Sequence, residues 1–152
     1  MNYVVTIESH STPDSSGWSD FVTIERGGKL LFSGIGSTCP NPIQYSTRFN
    51  WRDAYGWISA GVYEISTIDH YKYGRCCLVN NGGKVDARYP NVNHGGERIL
   101  TEVLIHAGNR NSKNKEWRGS AGCPTIHPLY WDKFSDALPI GKGILVIRDG
   151  VK

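Results

Sequence analysis

The chain has 152 residues, 39% hydrophobic and 20% charged, enough for one domain with a core that needs no covalent staples. A net charge of +3 is mild, and the 17 Lys and Arg residues form no run, which excludes the clustered basic face of a nucleic-acid binder. No apolar stretch approaches the ~18 residues of a membrane-spanning helix, so membrane insertion is not expected.

Glycine at 18 positions and a high aromatic content describe a chain of strands and turns. Tyr3–Glu8 predicts a first strand; it carries neither the basic start nor the apolar stretch of a signal peptide. Pro13-Asp14 and Gly17 then mark a turn-rich segment. Phe21–Arg26 and Lys29–Ser33, joined by Gly27-Gly28, predict a hairpin. The irregular stretch 34–52 holds Cys39, Pro40 and Pro42. With Tyr45, Phe49, Trp51, Tyr55 and Trp57 in or just after it, it either lines a groove or packs its rings onto the core. Gly61–Ile68 predicts a strand, and Cys76–Asn80 with Lys84–Arg88 predicts a second hairpin around Asn81-Gly82-Gly83. Tyr89–Arg98, with His94, reads as a polar loop, and Thr101–Ile105 as a buried strand. Leu129–Leu138 is the one convincing helix: Pro128 suits its first position, Trp131, Phe134 and Leu138 share a face, and Pro139 with Gly141 ends it. Gly143–Arg148 closes the chain as an apolar strand central in a sheet. The sum is a mainly β single domain, 1–152, with one short helix.

Two features of the stretch from Thr101 to Pro128 carry chemistry. His106 stands at the tip of the predicted strand, with Gly108 free to turn the chain away. Seventeen positions later comes Cys123, preceded by Gly119-Ser120-Ala121-Gly122 and followed by Pro124. Small residues before a Cys let backbone N–H groups converge on one point, and Pro124, which cannot donate, fixes the chain just beyond the thiol. That is the arrangement of an oxyanion hole beside its own nucleophile, with Gly122 supplying a donor. A free thiol near neutral pH is mostly protonated, so an imidazole such as His106 is needed to take its proton. Trp117 and Arg118, between base and nucleophile, are candidates for binding a substrate carboxylate, and Ser120 for hydrogen-bonding the turn or a substrate carbonyl. Cys39, Cys76 and Cys77 read as structural, because neighbours in a strand point to opposite faces and the four Cys have no repeated spacing.

At these residues the chain resembles the L,D-transpeptidase catalytic domain family (YkuD-type). That family carries His-Gly at the end of a strand, a loop, then Ser/Thr-His-Gly-Cys, usually followed by an apolar residue and an Arg or Asn. Matching are Ile105-His106-Ala107-Gly108 and Ser120-Ala121-Gly122-Cys123, while Ala121 replaces the family's His and Thr125 its downstream Arg. Ile58–Ile65, around Gly61, is similar to the family's Thr-Pro-x-Gly-x-Phe/Tyr segment. The resemblance implies a sandwich-like β fold and a Cys thioester intermediate. It also implies a backbone carbonyl, of Ala107 or Gly108, orienting His106.

The resemblance further implies peptidoglycan stem peptides as substrate, by L,D-carboxypeptidase, endopeptidase or transpeptidase chemistry, with no cofactor and no metal, in a monomer. Action is then expected on the bacterial cell wall, in the periplasm or outside the cell. Without a recognisable signal peptide, delivery by a phage or a secretion system is the expected route, with hydrolysis favoured over synthesis. Two alternatives stand beside it. One is a cell-wall-binding or phage structural module that keeps the fold without the chemistry. The other is a zinc peptidase using His94, His106, Cys123 and His127, although their spacing fits no ligand pattern and His127 suits a helix cap better.

Overall fold

The computed structural model describes residues 2–10, 18–38, 57–88, 99–108 and 123–150. Eleven strands and one α-helix lie among them: β1 Tyr3–Ser9, β2 Asp20–Arg26, β3 Lys29–Ser37, β4 Trp57–Ile58, β5 Gly61–His70, β6 Gly74–Val79, β7 Val85–Arg88, β8 Ile99–Leu100, β9 Leu104–Ala107, β10 Thr125–Ile126, α1 Pro128–Ala137 and β11 Lys142–Asp149. Eight strands close into a barrel in the order β1-β11-β5-β6-β9-β10-β3-β2, and β4-β7-β8 form a small separate sheet.

The closed barrel corrects the expected sandwich. β1 pairs on one side with β2 and on the other, in parallel, with β11, while β10 bridges β9 and β3. Each of the eight strands therefore has two neighbours, and no edge remains along which two sheets could separate.

Period-two alternation builds the interior. β1 buries Tyr3, Val5 and Ile7; β2 buries Val22 and Ile24; β11 buries Leu145 and Ile147; Ile65, Cys77 and Ile105 join them from β5, β6 and β9. Tyr3 carries a polar tip into this apolar space. Thr67 donates its one proton to the Pro139 carbonyl (2.6 Å), so the Tyr3 hydroxyl donates to Thr67 Oγ1 (2.6 Å) and lies 3.7 Å from Cys77 Sγ. Burial raises the Tyr3 phenol well above its ordinary range and pushes the Cys77 thiol up to about 12. α1 packs against β3, β6, β9 and β10, with Phe134 edge-on to Phe32 at 5.3 Å. His127 caps the helix, its Nδ1 accepting from the Leu129 amide at 3.0 Å, and Ser135 ties the helix to β6 by donating to the Arg75 carbonyl at 2.8 Å.

Three local departures from the expected elements have physical causes. Gly27 and Gly28 do form the first hairpin turn, both with positive φ (59° and 77°), as the twist of paired strands requires. Around Asn81, however, the chain makes a 3-10 turn, with Asn80, Asn81 and Gly82 all left-handed; this turn sends β6 into the barrel and β7 into the small sheet, so the two do not pair. Thr101–Ile105 is not one strand either, because Glu102 adopts φ 53° and β9 starts only at Leu104. His106 thus lies within β9 rather than at its tip.

A buried carboxylate secures the end of the barrel where the candidate site lies. Asp20 Oδ1 accepts from the His10 amide (2.9 Å) and Oδ2 from Thr38 Oγ1 (2.8 Å), and Ser9 Oγ in turn reaches Thr38 Oγ1 at 3.0 Å. The ends of β1, β2 and β3 are thereby joined just beyond Ser37, the residue that pairs with Thr125 of β10. On the adjoining rung Gly36 faces Ile126, and a Cβ there would run into the Thr125 carbonyl, so the close approach of β3 to β10 requires glycine. Replacing Asp20 with Ala strands two donors in a dry setting and is expected to lower unfolding stability by about 1–3 kcal/mol in urea titrations; Asp20→Asn, which keeps one acceptor, loses less.

Candidate active site

The site is built on the parallel pairing of β9 with β10. Thr125 stands opposite His106 and Ile126 opposite Ala107. The rungs are Gly108 N–H to Ile126 O at 2.8 Å and His106 N–H to Pro124 O at 3.2 Å. One rung further down, where a carbonyl would complete the ladder, the Leu104 N–H meets the sulfur of Cys123 at 3.5 Å. The thiol therefore sits on the edge of β9, two residues along from the imidazole, although the two residues are far apart in the chain.

Backbone alternation also prepares the partner of His106. Residues 104, 106 and 108 direct their amides toward β10, so Ala107 presents its backbone groups to the other side. On that side the ladder to β6 ends at Cys77–Ile105, which leaves the Ala107 carbonyl beyond the last rung. His106 Nδ1 lies 2.7 Å from this oxygen. A carbonyl can only accept, so Nδ1 carries the hydrogen, and in the neutral ring Nε2 is the basic nitrogen.

Burial favours the neutral form of both groups. Burial pushes the Cys123 thiol up, only partly offset by the Leu104 amide, which lowers it. Burial likewise lowers His106 below the ordinary histidine value, with Lys72 and His70 adding to the effect and the Ala107 hydrogen bond opposing it. On β6, Cys76 directly precedes Cys77, the residue that pairs with Ile105. Cys76 is fully buried, and its thiol is pushed up to about 11, chiefly by burial, with the charge of Asp69 contributing.

The turn between β5 and β6 completes the face. Tyr73 stacks on the His106 ring, centroids 4.4 Å apart and planes 21° apart. His70 stacks on Tyr73 at 5.1 Å, and the Lys72 amine lies 5.5 Å from the centre of the Tyr73 ring. Tyr73, His70, Lys72 and the Leu104 amide are not singled out by the sequence, and Cys76 reads there only as structural. A backbone amide has no sequence signal, and the His-Tyr-Lys-Tyr turn, separated from His106 by more than thirty positions, shows only as a run of aromatic and basic residues.

Of the other expected site residues, Trp117, Arg118, Ser120 and Gly122 lie outside the described residues, as do Ala121, Cys39, His94, Tyr45, Phe49, Trp51 and Tyr55. Among the described residues no three His, Cys, Asp or Glu side chains converge to hold a metal, and no helix is long and apolar enough to cross a membrane. Cys76 and Cys77 are free thiols, each buried on its own face of β6.

No protein-family model and no curated protein matches this sequence. Solved structures do match its fold. An L,D-transpeptidase (Yku) from Stackebrandtia nassauensis superposes with a TM-score of 0.51 at 14% identity, over 99% of this chain and 57% of that one. The helical cell shape determining protein Pgp2 from Campylobacter jejuni gives 0.52 at 14% identity, over 99% and 49%. Bd1075 from Bdellovibrio bacteriovorus gives 0.52 at 16% identity, over 99% and 48%. The fold is L,D-transpeptidase-like. This chain spans about half the length of the structures it matches.

In the native protein iodoacetamide is expected to label Cys123, which is half-buried, before the fully buried Cys76 and Cys77. Its rate should climb about tenfold per pH unit through the neutral range, because the thiolate reacts and burial keeps it scarce. A rate that levels off below about pH 7 indicates a thiolate–imidazolium pair and overturns the neutral one.

Proposed function

We propose that this protein is a cysteine acyl-transfer enzyme acting on peptidoglycan stem peptides, with Cys123 as nucleophile and His106 as base. The observation that carries this reading is the joint placement of the two groups. His106 is held by Ala107 with Nε2 as its basic nitrogen, and the Cys123 sulfur takes the next open rung of the same strand. The fold shared with an L,D-transpeptidase supports the substrate class.

In this mechanism Cys123 Sγ attacks the carbonyl carbon of an amide between an L-centre and a D-residue while its proton passes to His106 Nε2. Because burial disfavours both ions, proton transfer accompanies attack rather than preceding it. The amides of Cys123 and Gly122 stabilise the oxyanion, and the tetrahedral adduct collapses to a thioester as His106 returns its proton to the departing amine. Water resolving the thioester gives carboxypeptidase or endopeptidase cleavage, and a second stem amine gives a cross-link. Arg118, Trp117 and Ser120 are the proposed contacts to the peptide. The proposed place of action is the bacterial cell wall.

Incubation with purified muropeptides and mass analysis of the products is the test. Loss of one residue or scission of the stem assigns hydrolysis, and a joined dimer assigns transpeptidation. Cys123→Ala abolishes either product, and His106→Ala lowers the rate by about 10²–10⁴. The base must be neutral to act, so a lowered His106 value extends activity to lower pH, and the acid limb of kcat/KM should fall below the ordinary histidine value of about 6.5. Unchanged muropeptides together with tight binding to cell-wall sacculi would instead identify a wall-binding module that keeps the fold without the reaction.

A further inference from the structure

We propose that Tyr73 is a positioning residue for His106, its ring fixing the plane of the imidazole and shielding it from water. The inference rests on the reading of His106 as the base, and it assigns a task to a turn that the mechanism does not otherwise use.

One hydrogen bond does not fix an imidazole. The contact from Nδ1 to the Ala107 carbonyl sets the direction of one ring edge, but it leaves the ring able to rock about that bond, which would swing Nε2 through an arc. A flat surface against the ring removes this freedom, and Tyr73 supplies it at 4.4 Å and 21°. Tyr73 is itself supported: His70 stacks on it at 5.1 Å, and the Lys72 amide donates to His70 Nδ1 at 3.1 Å, holding the turn together. The turn then enters β6 through Gly74, at φ 72°.

The titratable groups around His106 come from several elements. Among the described residues, Tyr73 and Lys72 lie on the β5–β6 turn, His70 ends β5, Cys76 lies on β6, and Cys123 precedes β10. Lys72 and His70 both oppose a positive charge on His106, and the stacked ring keeps water from relieving that opposition. Shielding and orientation therefore favour the same species, a neutral imidazole with a fixed Nε2.

The test is an NMR titration of the full chain labelled at histidine, with His106→Gln used to assign the signal. Tyr73→Leu, which keeps bulk but not the flat ring, is expected to raise the His106 midpoint by about half a pH unit or more toward the ordinary value. Tyr73→Phe, which keeps the ring, leaves the midpoint in place. On muropeptides the leucine variant lowers kcat about tenfold with KM little changed and moves the acid limb with the NMR midpoint, while the phenylalanine variant keeps both. Should the leucine variant not fold, Tyr73→Met makes the same comparison. A midpoint unmoved in the leucine or methionine variant, or moved equally by phenylalanine, overturns the proposal. The NMR reading needs no turnover, so the two claims separate. A shifted midpoint in a protein that never processes muropeptides keeps the stack and removes the acyl-transfer reading, and turnover with an unmoved midpoint does the reverse.

Discussion

Because β9 and β10 run parallel, residues on either side of a long connection arrive at matching heights on the barrel wall, and everything proposed for this site depends on that match. β10 is only two residues long and has little pairing of its own. It is held by neighbours: β9 on one side, β3 on the other, and α1 directly after it. The hold from β3 requires Gly36 to lack a side chain and Asp20 to tie down the strand ends beyond it. The reach of the sulfur toward Leu104 is thus set by contacts made on the far side of β10 from the imidazole.

The same packing favours the uncharged form of both groups. An ion pair in a buried place gains Coulomb energy but loses the hydration of both partners, and the loss commonly exceeds the gain. Among the described residues the Leu104 amide favours a thiolate, while Lys72 and His70 oppose a positive charge on His106. On the proposed mechanism a substrate carbonyl changes the balance by offering the negative charge a destination in the oxyanion. Resting neutrality and reactivity are compatible on this account, since charge develops only when there is a place prepared to receive it.

How much of this was legible in the sequence follows from how far each signal reaches. The strands β1, β2, β3, β5 and β11 and the helix announced themselves through local alternation, Gly-Gly, and Pro128, because those signals act within a few residues. The Asn81 turn misled because a glycine-rich turn marks a reversal without saying which sheet receives the next strand. Glu102 misled because nothing in a β-rich run shows that one residue will take a left-handed conformation. Barrel closure was invisible for the same reason in larger form: pairing between Tyr3 and Gly143 is a property of the ends of the chain, not of any window along it. His106 and Cys123 were singled out by their immediate neighbours in the sequence. Tyr73 and the Leu104 amide join them only through tertiary contacts.

The seam of the barrel carries a consequence for biogenesis. β11 lies between β1 and β5, and among the described residues the longest-range contacts are made by it and by Gly150 just after it, whose N–H donates to the Ser9 carbonyl at 2.7 Å. A ribosome delivers that strand after every other one, so during synthesis β1 and β5 each present an unpaired border of amides and carbonyls. Nascent chains in this condition are prone to pair with one another, and a topology rich in distant partners closes slowly.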